Sequence, residues 1–353
     1  MVNRMDIGQM FMVGFDGCTV DDSHPVCRAI AGSGLGGVIL FDRNVDGAVQ
    51  NIRDPEQLRE LTRALQACAR DRLLIGVDQE GGRVCRLKPD AGFPAMTGAR
   101  ELGGLTPAET GRQAARMAAS LAECGINLNL APVVDLDLNP DNPVISRFGR
   151  SFGPDPDQVA RHARTFVLAH HEHGVGCCLK HFPGHGSAGA DSHLGFVDST
   201  DRWQARELEP FRVLIREGLA DAVMTAHVVQ RRLDPGGLPA TLSARIIGDL
   251  LRRQLGFAGV VISDDLQMRA ITDRWGFAEA VAMAVQAGVD LMIVGNNLVR
   301  QAGVVEEGIR AVAALLADGR VRAERVEASI GRIRALKRKI AGELPWKNNV
   351  PTA

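Results

Sequence analysis

Eight short apolar runs, each followed by a longer amphipathic stretch, constrain this 353-residue chain more than any other feature. The runs are Gln9 to Phe15, Gly37 to Phe41, Leu73 to Val77, Ile126 to Val134, Gly176 to Lys180, Ala222 to Ala226, Gly259 to Ser263 and Leu291 to Val294. Their apolar residues are continuous rather than alternating, as in strands buried on both faces of a parallel sheet. The stretches between them read as helices. Asp54-Pro55-Glu56 and Thr106-Pro107-Ala108-Glu109 open two of these with a capping side chain and a first-turn proline, running to about Arg70 and Cys124. Ser23 to Ala31, Asp155 to Gly174, Trp203 to Gly218, Ser243 to Gly256, Gly276 to Gly288 and Arg300 to Ala317 supply the others, and several end at glycine.

Eight strand-helix units predict an α/β chain folded as a single (β/α)8 barrel of the TIM type. The barrel is expected over residues 1–342, including Arg322 to Ile340 as an added amphipathic helix, with 343–353 as a frayed polar tail. A doubly wound open sheet is the alternative. The glycine-rich run Gly32-Ser33-Gly34-Leu35-Gly36-Gly37 is weak support for it, because a dinucleotide loop follows a strand and this one precedes a strand.

Polar residues collect where the runs end: Asp78 and Arg83, Asp135, Lys180 and His181, His227, Asp264. In a barrel all of these reach the C-terminal mouth, where active sites lie. The densest cluster runs from Lys180 to His193: Lys180-His181-Phe182-Pro183-Gly184-His185-Gly186, then Asp191-Ser192-His193. Glycine orders at an entropic cost and buries no side chain, so such a loop adds little to packing and points to chemistry.

Composition narrows the partners. With 41 basic and 42 acidic residues the net charge is −1, no attraction for nucleic acid or an anionic membrane. Tyrosine is absent and aromatics are 4%, too few for a base-stacking platform. The seven cysteines are odd in number and form no C-x-x-C, which predicts buried free thiols in a reducing compartment rather than disulfides or a zinc ribbon. Met1 to Phe15 shows no secretory pattern and no apolar run is long enough to span a bilayer, so a cytoplasmic protein is expected.

The Lys180 to His193 cluster resembles glycoside hydrolase family 3, in particular its bacterial β-N-acetylglucosaminidases. Asp78-Gln79-Glu80-Gly81-Gly82-Arg83-Val84, Arg147-Phe148-Gly149-Arg150-Ser151-Phe152-Gly153 and Ser263-Asp264-Asp265-Leu266 resemble that family too, in its usual order. The likeness runs from about Gly8 to Gly295 and departs at Ser187-Ala188, where relatives often carry Asp-Thr. It implies a retaining hydrolase with Asp264 as nucleophile and His193 as acid/base, held by Asp191. It further implies that Asp78, Arg86, Arg150, Lys180 and His181 bind the hydroxyls and acetamide of N-acetylglucosamine. The implied substrate is a muropeptide fragment recycled in the cytoplasm by a monomer, with no metal or organic cofactor.

The residue types suit that chemistry. Glycoside hydrolysis needs a carboxylate on one side of the sugar and a proton donor on the other. Asp191 and His193 stand two apart, so in an extended segment they share a face. An aspartate beside imidazole fixes its tautomer and favours its charged form. The chain leaves no room for a second domain, so a barrel loop is expected to bring the donor. Asp265 competes with Asp264 for the pocket, His185 for a role beyond shaping its loop, and His227 either lines the pocket or caps a loop. His170, His171 and His173 are expected on a helix surface. Two rivals stand: a metal-dependent amidohydrolase with Lys180, His181, His227 and Asp264 around zinc, and a catalytically silent sugar-binding protein. A broader β-glucosidase or β-xylosidase specificity is also open.

Overall fold

A computed structural model describes residues 2–346. All eight expected strands form: β1 (Phe11–Val13), β2 (Gly37–Leu40), β3 (Leu74–Val77), β4 (Leu128–Asn129), β5 (Gly176–Phe182), β6 (Ala222–Thr225), β7 (Val260–Ser263) and β8 (Met292–Val294). They pair in parallel in the order β7-β6-β5-β4-β3-β2-β1-β8. A parallel bridge from Ile262 to Leu291 joins the two ends and closes the barrel. The outer ring is α1 (Pro25–Ser33), α2 (Pro55–Ala67), α3 (Pro107–Glu123), α4 (Pro156–Glu172), α5 (Glu209–Arg216), α6 (Arg245–Gln254), α7 (Phe277–Ala287) and α8 (Val304–Ala317). The open-sheet alternative is set aside.

Local chemistry sets the boundaries. Asp54, Thr106 and Asp155 each cap a helix whose first residue is proline, accepting from the amides of Gln57, Glu109 and Asp157. β4 is shorter than the apolar run Ile126 to Val134 because Pro132 has no N–H to give a ladder. α8 begins at Val304 rather than near Arg300, because Gly303 before it takes a left-handed turn (φ 73°). The stretch expected as one helix from Trp203 divides into a tight turn, Ala205–Leu208, and α5.

Alternate residues of each strand face opposite sides. Met12, Ile39, Leu74, Leu128, Met224 and Ile262 fill the barrel, while Phe11, Val13, Val38, Leu40, Ile75 and Val77 pack under the helices. A further helix, α9 (Ala323–Ile340), inserts Ile333, Leu336 and Ile340 into the inner cluster at the N-terminal end of the strands. That end is therefore plugged, and the C-terminal mouth is left for a site. The end of the described chain joins this plug: Trp346 stacks on His171 at 3.9 Å between centroids, so the expected fraying does not extend to it. Residues 347–353 of the expected tail lie outside the described residues.

A carboxylate locks the plug. Asp290 is fully buried just before β8. It accepts from the Val261 amide at 2.9 Å, from Arg332 at 3.0 Å, and from Arg252 and Ser329, with Arg325 at 3.6 Å. Burial pushes the Arg252 guanidinium down to about 10. Asp290→Ala leaves these guanidiniums without their shared anion, and loss of one partner from a buried ion cluster costs about 3–5 kcal/mol. Chemical denaturation of the variant is expected to show that loss. A change below about 1 kcal/mol, the scale of an exposed pair, overturns this account.

Three expectations about polar side chains fail. Cys27 of α1 and Cys68 at the end of α2 are joined by a disulfide, with Cα atoms 5.4 Å apart. The pair is separated by 41 residues, so no short spacing marked it. Cys18, Cys85, Cys124, Cys177 and Cys178 are free. His170 and His171 are buried, not on the surface; only His173 is exposed. His170 bridges the Phe166 carbonyl and the Asn129 amide, and His171 pairs with Asp221 at 2.7 Å. Arg83 is exposed and lies over the Phe148 ring rather than joining the mouth cluster.

Candidate active site

Asp78, Arg86, Arg150, Lys180, His181, Asp191, His193 and Asp264 all line one cavity of about 320 Å³ at the C-terminal mouth. The strands bring them there: Asp78 follows β3, Lys180 and His181 belong to β5, and Asp264 follows β7. Phe41, Leu130, Phe148 and Met224 add apolar walls. The volume is at the low end for small-ligand pockets, ~300–1,000 Å³. A larger cavity, about 490 Å³, opens outside β1 between α1 and the α8 start and contains none of these residues. Site chemistry, not size, decides between the two.

Charges of alternating sign run along one wall. Lys88 pairs with Asp42, Asp42 lies 3.6 Å from Arg86, and Arg86 lies 3.8 Å from Asp78. Asp78 and Glu80 both accept from Lys180 at 2.7 Å, and Glu80 takes Arg150 through both oxygens at 2.7 and 2.8 Å. Burial pushes Glu80 up, but the two cations overcome it and hold the carboxyl well below the usual range. Burial likewise opposes the Lys180 charge, and Asp78 and Glu80 outweigh it, raising its pKa.

Asp135 organises the next segment. It is buried, accepts from His181 Nδ1 at 2.7 Å, and takes the backbone amides of His181 and His185. Nδ1 of His181 is thus committed, and Nε2 is left on the Arg150 side, 3.4 Å from Nη2. His185 does not line the cavity; its ring is buried, and burial lowers its pKa to about 4. Its Nε2 lies 3.4 Å from Ser192, so it shapes the loop.

Asp264 and Asp265 both reach the cavity but differ in what holds them. Asp265 accepts from the amides of Gln267 and Gly295, each at 3.0 Å, and burial pushes it up to about 6. Asp264 accepts from the Asp265 amide at 2.9 Å, its one donor among the described residues. Burial would raise its pKa, but His227, His181 and His193 reverse this and hold it below the ordinary value. Asp264 is therefore the carboxylate free to face a ligand as an anion. His227 lines no part of the cavity; it bonds Thr241 at 2.8 Å and the Asp265 carbonyl at 3.0 Å, bracing that turn.

His193 and Asp191 are paired as expected, but not by an extended segment. Asp191 accepts from the His193 amide and from Nδ1, both at 2.8 Å, in a tight turn closed by the Leu194 amide on the Asp191 carbonyl. Nδ1 is thereby occupied and Nε2 is left for the cavity. Burial would lower the His193 pKa; the bond to Asp191 and the charge of Asp264 raise it instead. The Ser192 carbonyl also accepts from the Ala270 amide, tying this loop to the segment after Asp264.

The sequence alone does not single out Asp42 or Lys88, and it shows Glu80 only within the Asp78 to Val84 run. The one available signal was for Glu80: it stands two residues after Asp78, on the same face of an extended segment. Asp135 was noted at a strand end, without its hold on His181. Among the described residues, no group of three or more His, Cys, Asp or Glu side chains is spaced to hold a metal ion.

Comparison with known proteins identifies the family. Residues 3–336 match the family described as glycosyl hydrolase family 3 N terminal domain. A beta-hexosaminidase of Neisseria meningitidis serogroup C is 41% identical over 272 residues, 74% of this chain and 72% of the relative. One from Idiomarina loihiensis is 36% identical, covering 79% of this chain and 81% of its own. The structure of a family 3 beta-N-acetylglucosaminidase from Paenibacillus superposes with TM-score 0.87 at 36% identity, over 98% of this chain and 64% of that one. A beta-N-acetylhexosaminidase from Beutenbergia cavernae gives 0.84 at 33% identity, over 96% and 98%.

A closed barrel with a pocket of carboxylates, histidines and cations at its C-terminal mouth is the architecture of a barrel glycosidase. The chain belongs to glycosyl hydrolase family 3. Within that family it groups with the hexosaminidases, glycoside hydrolases acting on N-acetylhexosamines. The amidohydrolase and silent-binder readings are set aside. No helix among the described residues is long and apolar enough to cross a membrane.

Proposed function

We propose that the chain is a retaining glycosidase that removes terminal, non-reducing β-N-acetylglucosamine through a covalent glycosyl-enzyme. Asp264 attacks the anomeric carbon. His193 protonates the leaving oxygen and then deprotonates the incoming water, and Asp191 holds its ring. Asp78, Arg86, Arg150, Lys180 and His181 bind the sugar. The observation that carries this reading is one small cavity lined by two titratable groups with opposite tendencies. Asp264 is favoured as an anion and His193 as a cation, the pairing the first step needs. An imidazole replaces the second carboxylate that most retaining enzymes use.

Muropeptide fragments, handled by a cytoplasmic monomer, are the physiological setting in this reading. A pocket sized for one small ligand and closed below suits removal of a single terminal sugar. The test compares aryl β-N-acetylglucosaminide with aryl β-glucoside, followed by an N-acetylglucosaminyl muropeptide. The acetamide-bearing substrate is expected to lead by about 100-fold in kcat/KM, since a site built to hydrogen-bond a group rejects the analogue without it. Equal turnover of the two aryl substrates favours the broader β-glucosidase or β-xylosidase specificity instead.

A further inference from the structure

We propose that Glu80 is a positioning residue for this hydrolysis: it stays behind the cavity wall and aims Arg150 and Lys180 at the sugar. The inference rests on the cavity being the sugar site. Glu80 does not line that cavity, and its side chain is 4% exposed. Its reach is nevertheless complete. One oxygen takes Arg150 Nη2 and Lys180 Nζ, each at 2.7 Å, and the other takes Arg150 Nε at 2.8 Å.

These contacts determine what the cations have left. The Nε and Nη2 edge of Arg150 is committed to Glu80, with Nη2 also 3.4 Å from His181 Nε2, and Nη1 donates to the Val144 carbonyl at 3.3 Å, so the second Nη1 N–H is the part of the fork left for a ligand. Lys180 has three donors; Asp78 and Glu80 occupy two, and one remains. Among the described residues, Glu80 is the one carboxylate within ion-pair distance of Arg150.

The carboxylate is itself held firmly. Its neighbour Gln79 exchanges two bonds with the Asn129 side chain, at 3.1 and 2.9 Å, and its side-chain oxygen accepts the amides of Arg86 and Leu87. On the other side Gly81 sits at φ 89°, and a Cβ there would lie 2.3 Å from the Thr97 carbonyl oxygen. Fixed backbone on both sides makes Glu80 a rigid reference for two long side chains with many rotamers, the support an aligned site requires.

The test measures kcat and KM on aryl β-N-acetylglucosaminide for wild type, Glu80→Gln, Glu80→Asp, Arg150→Met and the double variant Glu80→Gln/Arg150→Met, with folded fraction read by circular dichroism. Glu80→Gln keeps the shape but sets an amide N–H against the cations. A loss of about 100-fold in kcat/KM is expected at full folding, the scale of a broken buried charge pair. Glu80→Asp, which keeps the charge, recovers part of that loss and also decides the matter should the glutamine variant not fold. The double variant loses less than the product of the two single losses, because Glu80 acts through Arg150. Wild-type kinetics in Glu80→Gln, a loss equal to its unfolded fraction, no recovery in Glu80→Asp, or losses that multiply would each overturn the proposal. An inactive wild type overturns the functional reading instead.

Discussion

Asp264→Asn is expected to lower turnover of an aryl N-acetylglucosaminide by about four orders of magnitude while N-acetylglucosamine still binds. The substitution is nearly isosteric. Its amide oxygen can keep the bond from the Asp265 amide, so the turn after β7 survives. What is lost is the anion. In wild type three histidines hold that carboxyl below its ordinary value, leaving a charged oxygen facing the cavity at neutral pH. A neutral amide cannot form the covalent ester. Asp265→Asn is the control: its carboxylate is bound by the Gln267 amide of its own turn and by the Gly295 amide just past β8, so the variant is expected to weaken the fold more than the chemistry. A 2-fluoro-sugar inactivator should label wild type at Asp264. A label mapped by peptide mass spectrometry to Asp265 or any other carboxylate would sink the assignment.

His193→Ala is expected to slow substrates with poor leaving groups by about 1,000-fold, and activated aryl substrates far less, because the latter depart without a proton. The second step then lacks its base and the glycosyl-enzyme accumulates. Azide needs no deprotonation, so it should restore turnover and yield a glycosyl azide of retained configuration. The pH profile supplies the companion measurement. In the proposed mechanism His193 must be protonated for the first step, and its folded pKa lies above the ordinary 6.5. The basic limb therefore falls as pH rises through that raised value. Asp264 must be ionised, and its pKa lies below 3.8, so the acidic limb falls only below that. Asp191→Asn removes the anion that supports the imidazolium, which shifts the basic limb to lower pH. Equal losses on good and poor leaving groups, with no azide product, would show that His193 is not the acid/base.

The barrel was legible because its strands are short, continuous and apolar, a pattern that depends on local composition. Its margins were less so. Pro132 cuts short the ladder of β4, and Gly303 delays α8, both single residues whose backbone outweighs the apolar pattern around them. Asp78, Lys180, His181 and Asp264 could be read because each stands at or just past a strand end, and Asp191 and His193 because they lie in the histidine-rich loop; Arg86 and Arg150 stand at neither place and came only from the family resemblance. Those behind the pocket could not be read. Glu80 and Asp42 look like any surface carboxylate until the barrel closes and places Arg150, 70 positions away, against Glu80. The burial of His171 rests on Asp221, 50 residues distant, and the Cys27–Cys68 link on two helices that meet only after folding. The Asp191–His193 pair was readable as a pair, but its geometry comes from a turn rather than from strand alternation.

The plug of α9 bears on what happens between the two half-reactions. Ile333, Leu336 and Ile340 close the barrel from below, and the interior above them is filled with side chains such as Leu74, Leu128 and Ile262. On the double-displacement reading, the departing aglycone and the incoming water share one passage, and the first must clear it before the second can enter. Any alcohol lingering at that opening meets the glycosyl-enzyme on the same face as water. On that same reading, sugar transfer to abundant acceptors competes with hydrolysis, and aglycone release gates the second half-reaction.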